Sequence, residues 1–184
     1  MILGLDVSTS CTGLCIISEE GELVKMDWVK LSKQKDIISK ALQLRNALEN
    51  IRATYDITYI FIEEPLQRFS MGSSSAATIT KLASFNGISQ YVCYSLFSIT
   101  PELLNVTRAR KSLDIKTMSK KKAGKSVKEQ VFDWVSDYLK YDWPTKILKS
   151  GPRRGQKVIL DECFDMADAF VIAKSGFVKL KNPV

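Results

Sequence analysis

Residues 2–18, ILGLDVSTSCTGLCIIS, contain two apolar runs of strand length, and the first run ends at an acid, Asp6. A short polar stretch at 8–10 separates the two runs, and Glu-Glu-Gly at 19–21 supplies a turn after the second. In the segment 23–30, every second residue is apolar, which is the period of a half-buried strand. We therefore predict three consecutive strands that pair as an antiparallel meander.

Downstream of the meander, the hydrophobic period changes. Apolar residues recur every three or four positions in 35–54, as on one face of a helix, and ITYIFIEEP at 57–65 indicates a buried strand that Pro65 ends. The pattern then predicts a helix at 76–97, a short strand at 102–107, a basic loop, a helix around 127–138, and a last helix from about 161 to 174 with Gly176 as its C-cap. This order predicts an α/β fold. Its mixed five-stranded sheet joins the antiparallel meander to parallel strands and is flanked by helices, in a single domain spanning 1–184.

Carboxylates stand at the points where this fold would bring strand ends together. Asp6 ends the first strand and Glu63 ends the fourth, followed by Glu64, while Asp165 and Asp168 are three residues apart on one face of the last helix. Carboxylates gathered without a cation repel one another and raise one another's pKa. Hard divalent cations such as Mg²⁺ or Mn²⁺ remove that cost and prefer oxygen ligands. Asp161, one turn earlier on the last helix, fits either the N-cap of that helix or an acid that assists the metal site.

The positive charge is concentrated in one segment. Residues 108–128, RARKSLDIKTMSKKKAGKSVK, hold nine Lys or Arg and a single acid, within a chain of net charge +7. Such a local excess favours a polyanion-binding surface over a merely solvated loop. Within it, Lys120, Lys121, Lys122 and Lys125 are the candidate DNA phosphate contacts.

Several classes of protein are excluded by what the sequence lacks. It contains no His, so neither Ser-His-Asp nor Cys-His catalysis is available, and the four cysteines show no zinc-site spacing. These cysteines lie in apolar surroundings and are expected to be small buried residues in the cytoplasm or an equivalent reducing compartment. No signal peptide is visible, and no apolar run approaches the roughly 20 residues that cross a bilayer.

Three motifs in this order resemble the RuvC-type Holliday-junction resolvases of the RNase H-like superfamily. ILGLDVSTSCTG is similar to their first-strand motif, IFIEEP to their strand ending in a catalytic glutamate, and DMADAFVIA to their C-terminal helix. The resemblance implies that Asp6, Glu63, Asp165 and Asp168 are the catalytic metal ligands. ARKSL and VKEQVFDWV are similar to segments that bring lysines to the scissile phosphate, which implies roles for Lys111 and Lys128 in DNA binding and for Lys128 in catalysis.

The same resemblance implies a function and its partners. The expected activity is a Mg²⁺-dependent endodeoxyribonuclease, with Mn²⁺ as a substitute, that acts on four-way junctions or other branched DNA and gives paired nicks. A homodimer is expected, with the helix at 76–97 at its interface. In the loop after the glutamate, Arg68 is a candidate DNA contact and Phe69 a candidate aromatic wedge, although Phe69 also fits an ordinary apolar contact.

Other functions fit parts of the same pattern. An RNase H-fold nuclease acting on RNA or on other replication structures would need the same carboxylates, because cleavage directed at the backbone reads no bases. An ATP-binding protein of the sugar-kinase and actin type also places a phosphate loop after a strand ending in Asp, but such proteins have two related halves and much greater length. A non-catalytic DNA-binding module would not need the intact acid set.

Overall fold

The computed structural model describes residues 1–65 and 75–182. Its central sheet has five strands in the order β3-β2-β1-β4-β5, with β1 between two partners. The strands are β1 (Ile2–Asp6), β2 (Cys11–Ile17), β3 (Leu23–Lys30), β4 (Tyr59–Glu63) and β5 (Glu102–Leu104). Strands β1 to β3 form the antiparallel meander, and β4 and β5 run parallel to β1 and β4 respectively. The mixed five-stranded sheet predicted from the sequence is confirmed.

The helices are α1 (Ile37–Thr54), α2 (Ala76–Phe97), α3 (Val106–Ser112), α4 (Lys120–Ala123), α5 (Val127–Leu139) and α6 (Glu162–Lys181). Local signals explain several of their starts: the Asp36 side chain accepts a hydrogen bond from the Ser39 amide, and Ser126 and Glu129 form a reciprocal capping box. None of the helices described is long and apolar enough to span a membrane.

Helices cover both faces of the sheet. One core packs α1 and α2 against alternate strand residues such as Leu3, Leu5 and Ile62, and the other packs α5 and α6 against the opposite side chains, such as Ile2 and Phe61. Strands β1 and β4 are therefore apolar on both faces, as their continuous hydrophobic runs indicate. All four cysteines are free and buried, in agreement with the sequence prediction.

Helix α6 lies unusually close to the sheet because three contact points have no side chain. A Cβ added at Gly4 would lie 2.5 Å from the Ala173 amide nitrogen, and one at Gly176 would lie 2.2 Å from the Phe61 ring. Gly13 meets the helix backbone near Asp165 in the same way. Each of these distances is far shorter than a van der Waals contact, so only glycine permits this approach.

Three predicted elements are corrected. The last helix continues to Lys181, so Gly176 is an interior residue that packs on Phe61 and is not the C-cap. The basic segment is not a plain loop, because α3 and α4 lie within it, and α3 begins where the predicted strand at 102–107 was expected to continue. Between the helices predicted at 127–138 and 161–174, where the sequence analysis places no element, the structure has a separate antiparallel hairpin formed by β6 (Thr145–Ile147) and β7 (Lys157–Ile159). The helix predicted at 76–97 is confirmed as α2, which is continuous through Asn86.

Candidate metal-dependent active site

Two of the predicted carboxylates end adjacent parallel strands. In the register of β1 and β4, Leu5 lies opposite Ile62, so the next residues, Asp6 and Glu63, emerge side by side at the same edge of the sheet. The end of β4 is held by Asn86, a buried residue of α2 whose Nδ2 donates a hydrogen bond of 2.9 Å to the Glu63 carbonyl. The sheet therefore fixes the spacing of these two acids.

The other two carboxylates reach this edge from above, on α6. Gly13 of β2 pairs with Asp6 across the meander, and a Cβ at Gly13 would lie only 2.0 Å from the Asp165 carbonyl oxygen. That contact sets the first turns of α6 over the strand ends. Asp165 and Asp168, one turn apart, then face Asp6 and Glu63, as the sequence predicts.

The turn that follows Asp6 is fixed by two polar side chains. The Ser8 hydroxyl donates to the Cys11 carbonyl at 2.7 Å, and the buried Lys40 ammonium of α1 donates to the carbonyls of Thr9 and Leu31. A buried lysine is costly unless it is fully hydrogen bonded. Lys40 therefore supports the turn that follows the Asp6 carboxylate.

The electrostatics show that the four acids share one site. Burial and then the Asp168 carboxylate raise the pKa of Glu63 to about 7, and burial is also the main cause that raises the pKa of Asp168 to about 6. The pKa of Asp6 is raised well above its ordinary value by burial and then by Glu63, Asp168 and Asp165. Opposing contributions come from two cations, Lys128 and Arg110. Shifts of this kind mark a site that concentrates negative charge.

Those two cations pair directly with the α6 acids. The Lys128 ammonium of α5 donates to Asp165 Oδ1 at 2.5 Å, and Arg110 Nη2 of α3 lies 3.7 Å from Asp168 Oδ1. The arginine contact is an ion pair without a hydrogen bond. Within residues 1–65 and 75–182, Arg110 Nε and Asp168 Oδ1 are both buried without a hydrogen-bond partner. A buried carboxylate oxygen left in this state is poised to accept another ligand.

The donor set fits a hard divalent cation. Among the described residues, no three acidic or thiol side chains stand close enough together to hold an ion. The groups that converge are nevertheless all carboxylates, three of them have raised pKa values, and one carries an unsatisfied buried oxygen. An oxygen-only set of this type suits Mg²⁺ or Mn²⁺ and not zinc.

The neighbouring acids are directed elsewhere. Asp161, whose side chain is 86% exposed, pairs with Lys146 at 2.8 Å, and it makes no side-chain cap hydrogen bond. Glu162 pairs with Lys30 at 2.5 Å. Glu64 accepts a hydrogen bond of 3.2 Å from Asn105 Nδ2. Of the acids at 161–168, Asp165 and Asp168 are thus the two that point to the strand ends.

The predicted lysine contacts to DNA are exposed in the structure. Lys120, Lys121 and Lys122 project from α4 into solvent, and Lys125 pairs with Asp133 at 2.6 Å. Lys111 is exposed on α3, where it lines an open cleft of about 430 Å³ together with Thr107, Arg110, Asp114, Ile115, Lys116 and Thr117. Arg68 and Phe69 lie outside the described residues.

Arg110 is a site residue that sequence reasoning missed. It stands in the basic segment between the buried Ala109 and the exposed Lys111, and the sequence alone gave no reason to prefer it over its neighbours. The signal is the helical phase of α3: once Ala109 faces the core, Arg110 reaches Asp168 while Lys111 turns toward solvent. Asn86 was also missed, because Ser84, Ser89 and Gln90 lie near it in α2 and nothing in the sequence distinguishes it from these other polar residues.

Comparisons with solved structures identify proteins of similar fold. No protein-family model matches the sequence, and no curated protein matches it. Thermus thermophilus RuvC in complex with a Holliday-junction substrate is similar at a TM-score of 0.67 and 17% identity, over 99% of this chain and 96% of that chain. Another Thermus thermophilus RuvC structure gives 0.61 and 18%, over 98% and 95%.

A eukaryotic protein shows the same likeness. The yeast mitochondrial Holliday-junction resolvase is similar at a TM-score of 0.55 and 17% identity, over 96% of this chain and 77% of that chain. The match includes both the meander and the helix that carries the acid pair, since it extends over nearly all of the chain. This protein therefore has the RNase H-like fold of the RuvC-type Holliday-junction resolvases.

Proposed function

We propose that this protein is a metal-dependent endodeoxyribonuclease that resolves Holliday junctions or other branched DNA by paired nicks. The observation that carries the proposal is the convergence of Asp6, Glu63, Asp165 and Asp168 from three separate elements at one sheet edge. Support also comes from the fold, since the similar structures are those of junction resolvases. The excess of Lys and Arg beside the site suits a nucleic acid substrate.

The four carboxylates would hold Mg²⁺, with Mn²⁺ as a substitute. When bound, such ions supply Lewis-acid stabilisation of the phosphodiester and activation of the attacking water. The protein's own part is to fix the ligands: Asp6 and Glu63 through the parallel strand register, and Asp165 and Asp168 through the seating of α6 on Gly13. The acids need not carry protons once their charge is compensated.

Lys128 and Arg110 would change partners when substrate and metal enter. Burial alone would lower the pKa of Lys128, but its hydrogen bond to Asp165 and the surrounding carboxylates raise that pKa, so the side chain is a cation at neutral pH. With Asp165 engaged as a ligand, the ammonium can donate to a non-bridging oxygen of the scissile phosphate. Arg110 can do the same from the Asp168 side. Both would stabilise the charge that develops in the transition state.

A panel of labelled substrates tests the proposal. The protein with Mg²⁺ is incubated with a four-way junction, a three-way junction, a linear duplex and an RNA–DNA hybrid of the same sequence. We expect cleavage of the branched DNAs and not of the linear duplex. Preferential cleavage of the hybrid would instead assign the protein to the RNA-directed nucleases of the same fold.

The lysines of α4 and Lys125 provide a prediction about binding. Replacing Lys120, Lys121, Lys122 and Lys125 together by Ala should make the slope of log affinity against log salt less steep by about 3. Each neutralised phosphate contributes about 0.9 to this slope, and Lys125 contributes less because it is paired with Asp133. Binding is measured by fluorescence anisotropy over a salt series. The matched control replaces the same four residues by Arg and should keep the wild-type slope; an Ala variant with an unchanged slope would mean that the segment is only solvated.

A homodimer follows from the same proposal, because two opposing strands must be cut at symmetric positions. Helix α2 presents an exposed stripe in which Ser84 and Gly87 precede Tyr91 and Tyr94, the two tyrosines being 71% and 54% exposed. Gly87 has open space around its missing Cβ, and a mid-helix glycine costs about 1 kcal/mol relative to alanine. Close packing of a second α2 against this stripe would explain both features. Other apolar residues of α2, including Phe85, Val92 and Leu96, are already buried within one chain.

Charge placed on this stripe should separate the subunits. We expect the Tyr91→Asp, Tyr94→Asp double variant to have a mass of 20.7 kDa by light scattering, and the wild type twice that mass. Val24→Asp is the control, since Val24 is 40% exposed on the edge strand β3 and should leave the dimer intact. A wild type with a mass of 20.7 kDa when free, and with a single protein chain per four-way junction in the complex, would contradict the dimer and the paired-nick mechanism.

A further inference from the structure

The hairpin of β6 and β7 is a separate basic element. Residues 145–157, TKILKSGPRRGQK, contain five Lys or Arg and no acid. Together with the segment 108–128, the hairpin holds 14 of the 27 basic residues of the chain but only one of its 20 acidic residues. The rest of the protein has 13 basic and 19 acidic residues and is therefore net acidic, so the excess of positive charge lies in these two segments.

The tip of this hairpin is folded. Beyond the paired strands, the Leu148 amide donates to the Gln156 carbonyl at 3.0 Å, and the Gly155 amide donates back to Leu148 at 2.8 Å. The tip turns through Gly151 and Gly155, whose φ angles of 79° and 87° favour glycine. The cations at the tip are therefore held on a defined support, which lowers the entropy lost when they bind a ligand.

The base of the hairpin is attached to the start of α6. The Leu160 amide donates to the Pro144 carbonyl at 3.0 Å, and Lys146 pairs with Asp161 at 2.8 Å. Trp143, just before β6, packs on Phe132 of α5 with ring centroids 4.7 Å apart. Asp161 lies four residues before Asp165, so the hairpin is fixed in position relative to the carboxylate site.

The side chains at the tip are available for a partner. Lys149, Arg153 and Arg154 are exposed, and none of them has an ion-pair partner within 4.0 Å in the described part of the chain. By contrast, Lys30, Lys128 and Lys146 are paired with Glu162, Asp165 and Asp161 respectively. Unpaired cations on a rigid support match a row of phosphates, and arginine in particular suits bidentate phosphate contacts.

We propose that the β6–β7 hairpin is a second DNA-binding element, which grips the phosphate backbone of the duplex arm that enters the carboxylate site. This inference rests on the proposed nuclease function and adds a surface to it. The tip offers charge and no aromatic side chain, so the contact is to the backbone and independent of sequence. Because the hairpin and the segment 108–128 are separate elements, they contribute separately to the salt dependence of binding.

The test replaces Lys149, Arg153 and Arg154 by Ala and measures binding to a four-way junction and to a linear duplex in EDTA, over a salt series. We expect the slope of log affinity against log salt to become less steep by about 2 to 3 on both DNAs. A charge control replaces Arg52, Lys179 and Lys181, which lie away from the strand ends that carry the carboxylates, by Ala and should leave the slope unchanged. Arg153→Lys with Arg154→Lys keeps the charge and should retain most of the slope.

The outcomes separate this inference from the proposed function. If the hairpin variant keeps the wild-type slope on both DNAs while the wild type still cuts junctions, the hairpin inference is wrong and the function stands. If the wild type binds the duplex as tightly as the junction, junction selectivity fails, while a reduced slope on the duplex still supports the hairpin contact. A wild type that binds neither DNA overturns both. The same salt series with a double-stranded RNA tests the class of ligand. If the hairpin variant loses the same slope on this RNA, the hairpin binds the phosphate backbone of any duplex.

Discussion

Replacing Asp165 by Asn is expected to lower the rate of junction cleavage by about a thousandfold or more, a loss of about 4 kcal/mol of transition-state stabilisation. The amide keeps the shape of the side chain but removes the charge that holds a divalent cation. It also releases Lys128, which now pairs with Asp165 at 2.5 Å. Junction affinity should stay within about threefold of the wild type, because the charge removed is negative and the basic surfaces are untouched.

Single-turnover cleavage and equilibrium binding on the same labelled junction separate these two quantities. Asp137→Asn is the matched control: its side chain is 87% exposed on α5, and it should keep full activity. Full cleavage by Asp165→Asn in Mg²⁺ would remove Asp165 from the ligand set. A variant that lost binding and cleavage in parallel would show that the residue supports DNA and not metal.

Replacing Asp168 by Asn should stabilise the protein in EDTA while it abolishes cleavage. Burial raises the pKa of Asp168 from 3.8 to about 6 in the folded state, so folding favours its protonated form. The free energy of unfolding therefore falls as pH rises from about 4 to about 6, because the buried carboxylate becomes charged in the folded protein. Above about pH 6 this destabilisation has reached its full size. A neutral amide avoids the loss. We expect a gain on the order of 1 kcal/mol or more at pH 8, or about 2–4 °C in Tm per kcal/mol.

Thermal denaturation at pH 5 and pH 8, in EDTA and in Mg²⁺, measures this effect. The variant should be more stable than the wild type at pH 8 and gain less from Mg²⁺, because one ligand of the ion is missing. At pH 5, where the wild-type Asp168 is largely protonated, the difference should shrink. Asp137→Asn should behave as the wild type throughout. An Asp168→Asn variant that is less stable at pH 8 would mean that its pairing with Arg110 outweighs its burial.

The sheet and the acid pairs could be predicted from the sequence because each rests on a local pattern. The apolar runs that end at Asp6 and Glu63 mark strand ends, and parallel neighbours bring such ends together. Asp165 and Asp168 share a helix face by spacing alone. These local signals agree with the tertiary structure, so the convergence of the carboxylates could be predicted from the sequence without knowledge of any contact between elements.

What the sequence could not supply depends on contacts between distant elements. Gly176 is a helix-ending residue by local preference, but its contact with the Phe61 ring keeps it inside α6. The role of Arg110 depends on the phase of α3, which the burial of Ala109 sets. The β6–β7 hairpin consists of strands of three residues each, which are too short to show a period. Its position depends on contacts with distant elements, such as the packing of Trp143 on Phe132 of α5.

The most direct test of the central claim uses a supercoiled plasmid that extrudes a cruciform, incubated with the wild-type protein and Mg²⁺. Paired nicks across the four-way junction, made by a symmetric dimer, convert the plasmid directly to a linear form. We predict linear product from the first turnover, none with Asp165→Asn, and nicked circles from the Tyr91→Asp, Tyr94→Asp variant. Nicked circles alone from the wild type, or cutting of a plasmid without the cruciform at the same rate, would contradict the account.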